Sequence, residues 1–147
     1  MSDIKIKFEQ NGFVIAGLPI VCVEVLNNEY KWVKMYFLVD SGANVCQLSE
    51  NALERLKLDF TESELPIYGV SGFVDSPKEC DINIRDIDTK QEFVCDKFSI
   101  VPDDVFNIIN DDCRIHVDGI IGSNFLFENK FIIDYTTCEL KCLLMEK

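Results

Sequence analysis

Over residues 33–39 the chain is apolar on both faces of an extended strand, and it runs straight into a carboxylate. Val33, Met35, Phe37 and Val39 alternate to one side, while Tyr36 and Leu38 keep the other side apolar as well. A strand with two apolar faces has no side to give to water, so it belongs in the middle of a fold. Asp40-Ser41-Gly42-Ala43 follows at once. The charge therefore stands at the end of a buried strand, where the backbone must turn sharply. One carboxylate in such a place does little, but two that share a proton can activate water against an amide. The motif occurs once in the chain, which leaves open what supplies the second carboxylate.

The rest of the chain reads as mostly β. Ile4, Ile6 and Phe8 alternate with polar residues, and Asn11-Gly12 signals a turn, so residues 1–10 are expected to form an N-terminal strand or arm. Residues 13–26 read as one long β-rich stretch with Val21, Val23 and Val25 on one face, and Asn27-Asn28-Glu29 as the turn into the central strand. Beyond the motif, Ser49 suits the N-cap of a helix in which Ala52, Leu53 and Leu56 recur at helical spacing. Tyr68-Gly69-Val70-Ser71-Gly72, within residues 66–73, reads as a glycine-tipped hairpin. Further strands are expected at residues 80–84, 92–95 and 98–101, with a loop or short helical turn over 102–112. Ile120-Ile121-Gly122 leads into a short helix over 123–126, and residues 131–134 and 139–144 read as closing strands. With 147 residues and no linker or low-complexity tract, a single domain over residues 1–147 is expected.

Charge narrows the partners. The formal net charge of −12 argues against nucleic acid, whose phosphates require a basic face, and against anionic membrane surfaces. No run approaches the apolar length of a membrane span, and the first residues lack the apolar block of a signal peptide, so a cytoplasmic location is expected. The seven cysteines are odd in number and scattered, which fits free, buried thiols better than a disulfide framework. No Cys-x-x-Cys pair is present and His116 is the only histidine, so no metal is expected. A single histidine also counts against a serine-hydrolase triad, and Ser71 in Gly69-Val70-Ser71-Gly72 lacks the nucleophile-elbow pattern.

Each position of the motif has a chemical reason. Asp40 needs a rigid, partly buried place; Ser41 can hydrogen-bond within the turn or to a partner chain; Gly42 permits backbone geometry and close approach; Ala43 packs beneath the turn. Phe131-Ile132-Ile133-Asp134 echoes the approach to Asp40, but Tyr135-Thr136 replaces Ser-Gly, so Asp134 reads as structural or exposed. Asp118, before Gly119, reads as local turn chemistry, and Cys46 as a buried packing residue.

Three elements together resemble the retropepsin-like aspartic proteases, the retroviral-type single-lobe relatives of pepsin. They are Phe37-Leu38-Val39-Asp40-Ser41-Gly42-Ala43, the hairpin around Tyr68 to Phe73 as a flap, and Asp118-Gly119-Ile120-Ile121-Gly122-Ser123-Asn124-Phe125-Leu126. The resemblance covers residues 13–142 and implies an all-β, closed barrel with one or two short helices. It also implies a homodimer in which Asp40 from each copy meets at the two-fold axis, with no cofactor. Ser41, Gly42 and Ala43 would support the turn, and Ile120, Ile121 and Gly122 would pack beside it. Tyr68, Gly69, Val70, Ser71 and Gly72 would cover an extended peptide or protein substrate. The acidic segment over 101–112 departs from the minimal viral pattern. Two other readings keep the fold: a catalytically silent dimerisation or peptide-binding module, and a lobe that pairs with another protein's motif. Two chains of charge −12 repel, so dimerisation is expected to strengthen with salt or mild acidity.

Overall fold

A computed structural model describes residues 3–62 and 78–142. In chain order it contains β1 (Ile4–Lys7), α1 (Gln10–Ala16), β2 (Ile20–Leu26), β3 (Trp32–Val39), β4 (Gln47–Ser49), α2 (Glu50–Leu56), β5 (Thr61–Glu62) and β6 (Lys78–Asp81). There follow β7 (Ile84–Arg85), β8 (Lys97–Val101), a 3-10 turn (Asp103–Phe106), α3 (Asn107–Cys113), β9 (Gly119–Ile121), α4 (Ser123–Glu128), β10 (Phe131–Asp134) and β11 (Glu139–Cys142).

β3 lies where its two apolar faces require. It pairs antiparallel with β2, with Ile20 opposite Leu38 and Leu26 opposite Trp32, and parallel with β9, with Val39 opposite Ile121. Met35, Phe37 and Val39 enter one core with Val21, Val23, Leu48 and Phe98. Leu38 enters a second core with Ile20, Phe106, Val117 and Ile120, and Tyr36 packs at its margin. α2 begins as its sequence signals: the Ser49 hydroxyl accepts from the Ala52 N–H at 3.0 Å, and Ala52, Leu53 and Leu56 are buried.

The strands form a three-stranded sheet, β1-β11-β10, and an eight-stranded sheet, β5-β6-β8-β4-β9-β3-β2-β7. Neither closes on itself, so the expected closed barrel is replaced by two open sheets. The outer strands β5 and β7 are only two residues long, too short to complete a seam, and they do not pair with each other. Helix is also more abundant than the one or two short helices expected, with four α-helices and a 3-10 turn among the described residues.

The expected long strand over 13–26 is divided. Its first part is α1, ended by Gly17 in the left-handed conformation (φ 68°), where the Gly17 N–H donates to the Phe13 carbonyl at 2.9 Å and the Leu18 N–H to the Gly12 carbonyl at 3.1 Å. Gly17 adopts this geometry without the Cβ penalty, and it closes a helix that local β propensity does not favour. Phe13 then packs on the rings of Phe8 and Tyr135, at 5.9 and 6.3 Å between centroids. The expected strand at 80–84 is split between β6 and β7, and residues 92–95 make only one bridge, Arg85 to Glu92. Phe93 there points inward onto Phe125 and Phe131. The expected hairpin over 66–73 lies outside the described residues.

Candidate active site

The parallel ladder of β3 and β9 ends where the Asp40 N–H donates to the Ile121 carbonyl at 2.9 Å. The chain then turns: Ala43 N–H donates to the Asp40 carbonyl at 3.1 Å, and Gly42 N–H donates to Asp40 Oδ1 at 2.9 Å. Asp40 is half-buried, whereas Ser41 and Gly42 are exposed. Gly42 does not adopt a left-handed φ. Its contribution is close approach, because a Cβ there would lie 3.2 Å from Asp40 Oδ1. One carboxylate oxygen is thus held by the backbone of its own turn, which fixes the side chain relative to β3.

Beneath the turn, Ala43 is fully buried in the second core. Its carbonyl accepts from the Ser123 N–H at 2.7 Å, tying the turn to the start of α4. Ile120 and Ile121 are buried on opposite sides of β9, one in each core. Gly122 passes so close to the returning chain that a Cβ would stand 2.5 Å from the Val45 carbonyl oxygen. Cys46 is buried there: its thiol sulfur accepts from the Gly122 N–H at 3.3 Å and lies 3.4 Å from Asn124 Oδ1. Burial pushes the Cys46 thiol up to about 12, so it remains protonated, consistent with a packing role.

The turn opens on a cleft of about 340 Å³ lined by Leu18, Pro19, Leu38, Asp40, Ile133 and Tyr135, with Ser41 at its rim. Four of the expected site residues, Asp40 to Ala43, and the three at 120–122 therefore come together. Tyr68, Gly69, Val70, Ser71 and Gly72 lie outside the described residues. The sequence signal for the wall formed by Leu18 and Pro19 is the helix-stopping Gly17-Leu18-Pro19, which lies inside the stretch whose β-rich composition favours strand.

Two other carboxylates are engaged elsewhere. Asp134 Oδ1 accepts from the Thr136 and Thr137 N–H groups at 2.8 and 3.2 Å, and Oδ2 from Lys141 Nζ at 2.9 Å. The Lys141 ammonium, helped by those N–H groups, holds its carboxyl down at about 2. Asp118 is a correction to its reading as local turn chemistry. It is buried, its Oδ2 accepts from the Tyr36 N–H at 2.9 Å, and its Oδ1 pairs with the Arg55 guanidinium. Burial raises its carboxyl above the ordinary value, against the opposing pull of the Tyr36 N–H, Arg55 and His116. Val117 and Gly119-Ile120-Ile121 had signalled it: a carboxylate set in an apolar run must find partners.

Among the described residues no group of three or more His, Cys, Asp or Glu side chains is arranged to hold a metal ion, and no helix is long and apolar enough to cross a membrane.

No family model and no curated protein matches the chain. Solved structures similar to it include retropepsin-like folds. A retropepsin-like aspartic protease from Rickettsia conorii is 17% identical, with 96% of this chain and 88% of that one covered and a TM-score of 0.48. EIAV protease, solved with an inhibitor, is 19% identical over 72% of this chain and 84% of that one, at 0.45. The retroviral protease-like domain of Ddi1 from Leishmania major is 20% identical over 78% and 81%, also at 0.45.

Proposed function

We propose that this chain is an aspartic endopeptidase that works as a homodimer on peptides or proteins, with one Asp40 from each copy sharing a proton. The carrying observation is the Asp40 turn itself, a half-buried carboxylate anchored by backbone at the end of a two-faced strand and opening on a cleft. Two like charges that meet in one site do not both ionise readily, so one carboxyl stays protonated. The ionised partner takes a proton from water as the water attacks, and the protonated partner polarises the scissile carbonyl. That titration belongs to the pair.

Support for a second copy comes from where two other candidate carboxylates go. Asp134 is held by Lys141 and its own turn, and Asp118 by Arg55 and β3. The three-stranded sheet offers two outer edges. β1 carries the exposed Lys5 and Lys7, the kind of charge that discourages edge pairing. β10 carries Phe131, Ile132 and Ile133, with Ile132 48% exposed, and no described strand pairs with its outer edge. Ile133 and Tyr135 line the same cleft as Asp40, so antiparallel pairing of β10 with its copy would bring the two turns toward one axis.

Cleavage of a peptide library by the wild-type chain and by Asp40→Asn tests the chemistry, with sedimentation in parallel over pH and salt. The substitution is expected to lower the rate by at least about 10²–10⁴-fold, the usual scale of a lost general acid or base. Dimer and activity are expected to rise together as salt screens the negative charge or mild acid neutralises part of it. Cleavage unchanged in Asp40→Asn, or an active chain that is monomeric throughout, would refute this mechanism. A dimer that cleaves nothing would favour the silent binding module.

A further inference from the structure

The strongest unassigned cluster is the one around Asp118. Its backbone N–H donates to the Tyr36 carbonyl at 2.8 Å while its carboxylate accepts from the Tyr36 N–H at 2.9 Å, so it grips both backbone groups of one β3 residue. Its own carbonyl accepts from the Ser49 N–H at 2.8 Å, at the end of β4 and the cap of α2. Arg55, from the last turn of α2, pairs with Oδ1, and His116 Nε2 lies 3.6 Å from the same oxygen. One side chain therefore joins β3, β9 and α2, and its backbone adds β4.

This clamp stands at the head of the ladder that ends on Asp40. With Asp118 fixed on Tyr36, the parallel register runs Phe37 to Gly119, Leu38 to Ile120 and Val39 to Ile121, and the next bond is Asp40 N–H to the Ile121 carbonyl. A one-residue slip would turn Ile120 and Ile121 to the wrong cores. Gly119 narrows the choice further, since a Cβ there would lie 2.1 Å from the Gln47 carbonyl oxygen.

We propose that Asp118 is a positioning residue for the Asp40 turn, setting the β3–β9 register through Tyr36 and holding that register against α2 through Arg55. The consequence for catalysis rests on the reading of Asp40 given above, but the mechanical part does not. Asp118→Ala removes both the acceptor and the charge. Asp118→Asn keeps an oxygen for the Tyr36 N–H and loses the charge, and Arg55→Gln cuts the tie to α2 together with the Arg55 Nε bond to Asn51 Oδ1 within that helix.

Amide hydrogen exchange reads the result on the intact chain without requiring activity. In Asp118→Ala, exchange at the Asp40 and Ser123 amides is expected to rise by at least about ten-fold relative to the Leu140 amide in the separate β1-β11-β10 sheet. Asp118→Asn should recover much of that protection, and Arg55→Gln should fall between the two. If Asp118→Ala does not fold, the same comparison is made with the other two variants. In peptide cleavage, a positioning loss should lower kcat more than it changes KM. Equal acceleration at Asp40 and Leu140 would show a purely global effect and overturn the proposal, as would unchanged exchange at Asp40. A wild-type chain that cleaves nothing would refute the catalytic reading while the exchange data still decide the role of Asp118.

Discussion

Replacing Gly122 with alanine tests whether the Asp40 turn is held by backbone packing. Gly122 has φ −94° and ψ 179°, extended geometry open to any residue, so dihedral strain is not the issue. The obstacle is steric. The new Cβ would stand 2.5 and 2.7 Å from the carbonyl oxygen and carbon of Val45, and 2.9 Å from the Ala43 carbonyl oxygen. These atoms cannot rotate aside as a side chain would. The Ala43 oxygen also accepts from Ser123, so relief must weaken the bond joining the turn to α4. Overpacking of this kind costs about 1–3 kcal/mol, and a weakened buried hydrogen bond adds about 0.5–1.5 kcal/mol. Lower entropy in the unfolded alanine chain returns about 0.4–1 kcal/mol. The net loss spans about 0.5–4 kcal/mol and centres on about 2 kcal/mol, or about 4–8 °C in melting temperature for a domain near this size. Gly42→Ala is the control, since its Cβ meets only Asp40 Oδ1, at 3.2 Å. That variant should stay within about 1 kcal/mol of wild type in urea unfolding while displacing the carboxylate. A Gly122→Ala midpoint indistinguishable from wild type, or a Gly42→Ala loss larger than that of Gly122→Ala, would refute this account of the turn.

Two further outcomes follow from the titrating groups. Lys141 holds the Asp134 carboxyl down at about 2 against an ordinary value of 3.8, so its contribution is present above 3.8 and disappears as pH falls toward 2. The urea midpoint of wild type should therefore exceed that of Asp134→Asn at pH 5 and converge with it near pH 2; parallel pH profiles would contradict this. The Cys46 thiol, raised to about 12 by burial, should resist iodoacetamide at pH 8 until the chain unfolds, whereas the half-buried Cys138 should react earlier; native labelling of Cys46 at the rate of Cys138 would show that the turn opens.

The features legible in the sequence were those decided by near neighbours. Two-faced apolarity over 33–39 located β3 between two cores, and Ser49 announced α2 because a cap acts within three residues. What escaped depends on distant atoms. Phe13 looked like strand, but its rings of contact are Phe8 and Tyr135, and Gly17 supplied the helix stop. Phe93 looked like part of a ladder, yet it faces Phe125 and Phe131. The apolar run around Asp118 signals that its carboxylate needs partners, but those partners, Tyr36 and Arg55, are distant in sequence and no local pattern names them. Closure of the barrel was equally out of reach, since it depends on which edges meet.

The short run Ile120-Ile121-Gly122 carried so much because three constraints fall on consecutive residues. β9 is flanked by β3 and β4 and lies between the two cores, so successive side chains point into opposite apolar interiors and both must be hydrophobic. The next residue passes beneath the Val45 and Ala43 carbonyls and has no room for a Cβ. Its N–H still needs an acceptor in that dry place, and the Cys46 sulfur provides one. The bonds that hold the Asp40 backbone and carboxylate come from the main chain, through Ile121 and Gly42. Side-chain identity away from this ladder and its Asp118 clamp can therefore drift while the turn stays in place. Substitution at Ile120, Ile121 or Gly122 cannot be absorbed as easily, because each would disturb a core or the backbone spacing that supports the carboxylate.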